Sequence, residues 1–194
     1  MFRKFMFTLA LAVAATSAQA ANPQVEFDTT AGIIKVELFP DAAPKTVANF
    51  LDYVKSKHFD GTQFHRVIDG FMIQGGGFTA DFKEKPTKAP IAIESEASSK
   101  AGLKNVVGTL AMARTSDPNS ATSQFFINVG NNKRLDFTSA TPEGYGYTVF
   151  GKVVEGMDVV GKIAKAQTGA GGPFPTDVPK EAIVIKSAKI VDAK

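Results

Sequence analysis

From Val25 onward the chain is a succession of short apolar runs, each followed by a cluster of Gly, Pro, Asn or Ser. Val25, Phe27 and Thr29 alternate onto one face, and Ile34, Val36 and Leu38 do the same beyond Ala31-Gly32, the pattern of a β-hairpin. Further short strands are expected at 62–68, 71–75, 91–94, 107–113, 124–129, 148–154 and 182–191. Only two stretches read as helix. Pro44 opens the first, with Val47, Phe50, Leu51 and Val54 at the i, i+3, i+4, i+7 spacing of one apolar stripe, and the second is expected from Met157 to Ala166. Many short strands present many unpaired edges. A closed or nearly closed β-barrel removes those edges, and two helices suffice to plug its ends. The stretch Gly169 to Pro175 reads as a surface loop rather than a linker, because only one strand's worth of chain follows it.

The chain has 194 residues, 44% of them hydrophobic, enough for one substantial core. Its first twenty residues stand apart. Arg3 and Lys4 precede an apolar run from Phe5 to Ala15, and Ala18-Gln19-Ala20 follows, the pattern of a cleavable secretory signal. Thr16, Ser17 and Gln19 interrupt the run short of the roughly 20 apolar residues that a membrane span needs. The expected organisation is therefore a signal peptide at 1–20 and a single domain at 21–194, exported to the periplasm and free of the membrane after cleavage. Without Arg3 and Lys4 the 22 basic residues become 20, against 19 acidic ones. That balance, with no dense basic run, argues against a nucleic-acid surface. The absence of cysteine excludes thiol catalysis and zinc–cysteine sites. The two histidines, His58 and His65, lack metal-ligand spacing, and neither G-x-S-x-G nor H-E-x-x-H is present to suggest a hydrolase.

The chemistry concentrates in Phe64-His65-Arg66-Val67-Ile68 and, past Asp69-Gly70, in Phe71-Met72-Ile73-Gln74-Gly75-Gly76. These strand-like runs carry an arginine and a glutamine that a folding core does not call for. Side chains at i and i+2 share a face, so Met72 points with Gln74, and Gln124 with Phe126, while Ile73, Phe125 and Ile127 fill the barrel. Val149 and Phe150 read as core as well. The outer face then carries Arg66, Met72, Gln74, Gln124 and Phe126, an apolar floor with long hydrogen-bonding side chains, which suits a peptide groove. Gly75 to Ala80 satisfies a loose G-x-G-x-x-A pattern but lacks the strand–helix context of a phosphate site.

These segments, together with Ala111-Met112-Ala113, Ser123-Gln124-Phe125-Phe126-Ile127 and Val149-Phe150-Gly151-Lys152-Val153, resemble the cyclophilin family of peptidyl-prolyl cis-trans isomerases in order and spacing, from about Val25 to Val191. The resemblance implies a mainly β fold, a closed eight-stranded antiparallel barrel capped by two α-helices, with no cofactor and no metal. It implies a groove for proline-containing polypeptides, here unfolded exported proteins, and a monomer is expected. Residue by residue, Arg66 matches the catalytic arginine, with Phe71 and Gln74 in the catalytic set beside it. Phe71, Met72, Phe126 and Leu135 match the proline pocket, and Gln74 matches the residue that hydrogen-bonds the peptide. Ala113, Arg114, Thr115 and Gln124 match the adjoining groove, and His65 the histidine next to the arginine. Two positions depart from the best-known members: Arg134 stands where they have tryptophan, and Tyr147 where they have histidine. Losing the indole removes a flat apolar wall and an N–H donor, so weak cyclosporin binding is expected. The alternative is a non-catalytic chaperone that holds proline peptides in the same groove, and Arg66 discriminates between the two, since a pure binder needs no donor at the prolyl nitrogen.

Overall fold

The computed structural model describes residues 21–192; the leader expected at 1–20 lies outside them. Strands β1 (Gln24–Thr29) and β2 (Gly32–Leu38) form the expected hairpin, with Val25 opposite Val36 and Phe27 opposite Ile34. The turn is Thr30-Ala31, one residue earlier than the sequence suggested, because the Thr29 hydroxyl fixes it. That oxygen donates to the Gly32 carbonyl at 2.6 Å and accepts from the N–H groups of Ala31 and Gly32 at 3.1 Å each. Helix α1 (Pro44–Lys55) starts at its proline but carries no capping side chain of its own. Its cap comes from Glu94, whose carboxylate accepts from the backbone N–H groups of Lys45 and Thr46 and from the Thr46 hydroxyl. A negative charge there offsets the positive end of the helix dipole and satisfies donors that the helix leaves free.

The remaining strands of the main sheet are β3 (Arg66–Ile68), β4 (Met72–Gly75), β5 (Thr109–Met112), β6 (Phe125–Asn128), β7 (Val149–Glu155) and β10 (Ile185–Val191). They join β1 and β2 in one antiparallel sheet of eight strands, ordered β10-β1-β2-β7-β5-β6-β4-β3. The sheet curls until its ends meet. Its two edge strands form no ladder; a seam of backbone bonds just before β3 joins them instead. Phe64 N donates to Ile183 O at 2.9 Å, Gly61 N to Ile185 O at 2.8 Å, and Ile185 N to Thr62 O at 2.8 Å.

Inside the curl, α1 and α3 (Met157–Ala164) contribute Phe50, Val54, Val160 and Ile163 to a core centred on phenylalanines. Phe27 and Phe125 stack at 5.4 Å, and Phe50 meets Phe150 at 5.0 Å. Three expectations change. A third short helix, α2 (Ser95–Lys100), was not legible because it buries only Ser95 and Ser98 and so shows no apolar stripe. Within 91–94, Ile91 makes a single bridge to Ala121 rather than a strand. The supposed loop at 169–175 is a two-stranded hairpin, β8 (Thr168–Gly171) and β9 (Phe174–Pro179), turning through Gly172, whose φ is +51°.

Candidate functional site

Strand register places the chemistry in one line. Arg66 lies opposite Gln74, Gln74 opposite Phe126, Phe126 opposite Ala111, and Ala111 opposite Val149. All point away from the phenylalanine core, because their strand neighbours Val67, Ile73, Phe125, Leu110 and Phe150 point into it. Met72, Ala111, Phe126 and Val149 therefore form a second, smaller apolar cluster on the outer face, with Phe71, Ala113, Leu135 and Tyr147 packed around it. Val149 is buried as expected, in this outer cluster rather than in the phenylalanine core. A slip of one residue in β4 or β6 would turn the whole line inward, so the same alternation that builds the core also aims the site.

At one end of the line Arg66 is exposed, and its guanidinium makes no hydrogen bond or ion pair among the described residues. Gln74 Nε2 donates to Gln124 Oε1 at 2.9 Å, which orients both amides and leaves Gln74 Oε1 and Gln124 Nε2 toward the groove. Gly77 makes room for this pair: a β-carbon there would come within 2.7 Å of the Gln124 side chain.

Three buried asparagines, Asn105, Asn128 and Asn132, carried by no sequence motif, fix the far wall. Asn132 Nδ2 donates to the Phe71 carbonyl at 2.8 Å and to Asn128 Oδ1 at 2.7 Å. Asn128 Nδ2 donates to Asn105 Oδ1 at 3.2 Å, and Asn105 Nδ2 to the Leu135 carbonyl at 3.0 Å. This network ties the turn before β4 to the 3-10 turn Lys133–Leu135, and so sets Phe71 against Leu135.

His65 is 3% exposed, stacked on Phe174 at 5.2 Å and met edge-on by Phe78 at 4.8 Å. Burial, reinforced by the charge of Arg66 and opposed by the Gln63 backbone, pushes its pKa down to about 4, so the ring is neutral at pH 7. Its contacts are those of aromatic packing.

These groups line an open groove of about 390 Å³: His65, Arg66, Phe71, Met72, Gln74, Phe78, Ala113, Arg114, Gln124, Phe126, Leu135, Tyr147 and Phe174. Thr115 and Arg134 border a neighbouring depression of about 510 Å³ instead. Arg114 lines the groove, and its side chain is also engaged with the protein's own backbone. Its guanidinium donates to the carbonyls of Thr115, Ser116, Pro142 and Gly146 and lies over Tyr147, so it organises the rim loops. Arg134 covers the Phe71 ring at 4.8 Å, where it shields one face of the pocket wall. Phe78 and Phe174 are lining residues that the sequence did not reveal, since nothing local links them to the motif. A roomier depression of about 580 Å³ at the end of α3 contains none of the motif residues. Among the described residues no group of three or more His, Asp or Glu is placed to hold a metal ion.

Comparison with known proteins agrees with this geometry. The profile of the family described as cyclophilin type peptidyl-prolyl cis-trans isomerase/CLD matches residues 24–190. The chain is 57% identical over 167 residues to peptidyl-prolyl cis-trans isomerase cyp18 of Streptomyces antibioticus, covering 86% of this chain and 98% of that one. It is 53% identical over 166 residues to peptidyl-prolyl cis-trans isomerase B of Escherichia coli K12, again covering 86% and 98%. Among solved structures, a Cryptosporidium parvum cyclophilin type isomerase, crystallised in the presence of the dipeptide Ala-Pro, superposes with a TM-score of 0.68 at 28% identity, covering 88% of this chain and 99% of that one.

Proposed function

The chain belongs to the cyclophilin-type peptidyl-prolyl cis-trans isomerases, and on that footing we propose that Arg66 supplies the stabilisation specific to the transition state while the Met72–Phe126 floor holds the proline. Resonance keeps the peptide bond planar behind a barrier of roughly 18 to 20 kcal/mol, so X–Pro exchange takes tens to hundreds of seconds. At the twisted transition state resonance is lost, and the prolyl nitrogen regains a lone pair. A guanidinium set over that nitrogen donates a hydrogen bond that the planar ground state cannot accept, which is differential binding.

One observation carries the reading: among the described residues the Arg66 guanidinium is free of partners, and it stands in register with Gln74 and Phe126. A donor already engaged would have to break a bond before it could act. Millisecond turnover instead of about 100 s requires roughly 7 kcal/mol off the barrier, and one preorganised donor supplies only about 3 to 4 kcal/mol. Phe71, Met72, Phe126 and Leu135 supply the remainder by holding the ring while the preceding carbonyl swings, and by excluding the water that favours the planar amide. Gln74, with Gln124 bonded behind it, anchors the peptide backbone.

The substrates we assign are proline-containing segments of unfolded exported proteins, met in the periplasm after loss of residues 1–20; the crystal structure of a relative in the presence of Ala-Pro supports the proline part of this reading. Sequencing the mature N-terminus from fractionated cells tests the location, and a chain retaining Met1 in the cytoplasm would refute it. For the mechanism, isomerisation of a proline tetrapeptide is compared between wild type and Arg66→Ala. kcat/KM should fall about 10²- to 10³-fold with the thermal transition unchanged. Equal acceleration by both proteins would contradict the role of Arg66, and no acceleration by either would favour a proline-binding chaperone.

A further inference from the structure

We propose that Phe78 and Phe174 form a second apolar subsite of the groove, which selects peptides carrying an aromatic or branched aliphatic side chain two or three residues from the proline. This deepens the isomerase reading above and rests on it.

Phe174 comes from β9, a strand outside the main sheet, yet β9 packs against β3. It stacks on His65 and meets Phe78 edge-on at 5.1 Å, and both phenylalanines remain partly exposed along the groove. The hairpin therefore delivers an apolar ring to the Arg66 end of the site, opposite the end where the proline pocket lies.

The spacing sets the position on the peptide. Met72 in the pocket floor and Gln74 are two residues apart on one strand face, about 7 Å, and the wall lies beyond Gln74, against the residue that precedes Arg66. An extended peptide advances about 3.4 Å per residue, so a chain with its proline over Met72 reaches the wall after two or three residues. The groove lining contains no carboxylate, and its charged members are Arg66, next to His65 in the chain, and Arg114. A lysine at that peptide position would find no carboxylate in the groove lining to pair with.

The test uses peptides with Phe, Leu, Gly, Lys or Glu placed two and three residues to either side of proline, with isomerisation followed by NMR exchange without a coupling protease. Wild type should show a KM about tenfold lower for Phe or Leu than for Gly at one of these positions. Phe174→Ala should remove that preference by raising KM selectively for the Phe and Leu peptides, and Phe174→Leu, which keeps His65 covered, should retain most of it. A wild type indifferent to the series, or a Phe174→Ala change that raises KM equally for every peptide, overturns the subsite. If wild type isomerises none of them, the isomerase reading fails by itself, and the same ranking sought in peptide Kd values decides the subsite.

Discussion

Beside the guanidinium assigned to the chemistry sits an imidazole that stays uncharged, and its environment makes a prediction about pH. His65 has a folded pKa near 4 against 6.5 in the unfolded chain. As pH falls below 6.5 the unfolded state takes the proton first, so stability is complete above pH 6.5 and is lost progressively towards pH 4. Urea titrations should show a loss of about 2 kcal/mol between pH 7 and pH 5. His58, buried and donating from Nε2 to the Gly76 carbonyl, is shifted in the same direction, so His65→Gln should flatten this dependence without abolishing it. A slope unchanged by that substitution would remove His65 from the explanation. Arg134 carries a second prediction at this scale. Its guanidinium lies over Phe71 where the family's best-known members place an indole, and Arg134→Trp should strengthen cyclosporin binding at least tenfold by calorimetry, with proline-peptide turnover within a fewfold of wild type.

Among the elements, the short turn that carries Leu135 depends on polar groups rather than on its own packing. Asn132→Ala removes two bonds and leaves Asn128 Oδ1 without its donor, while the Phe71 carbonyl keeps only the Val129 N–H. The loss should be about 2 to 3 kcal/mol of stability. Because the wall between Phe71 and Leu135 loosens, peptide KM should rise several-fold; thermal melting and steady-state kinetics read the two effects separately. None of this was visible beforehand, since asparagines in loops look alike until a partner is known. The strands were legible because alternation has a physical cause, one face buried and the other not. The same alternation located Arg66, Gln74 and Phe126 on one face. The β8–β9 hairpin was hidden by its Gly and Pro content, which reads as loop, and α2 by a buried face made of serines. Phe78 and Phe174 were missed for a related reason: their pairing with His65 is long-range and leaves no local pattern.

Taken whole, the molecule is a curled sheet with two apolar faces of unequal size. The inner face, with α1 and α3, makes the fold stable; the outer one, reduced to Met72, Ala111, Phe126 and Val149, makes the floor of a groove. The floor is the reverse side of the strands that hold the core, so the groove is rigid before any peptide arrives, and little ordering is needed on binding. Arg66 is therefore assigned a role in the rate of bond rotation and only a minor one in affinity. Exchange NMR on a saturating proline peptide separates these quantities, giving the interconversion rate on the protein and the Kd in one titration. With Arg66→Lys, which keeps the charge but loses the rigid guanidinium geometry, the on-protein rate should fall by at least tenfold while Kd stays within threefold. An unchanged rate with a Kd raised in proportion to any lost activity would contradict the claim that this side chain acts on the twisted bond.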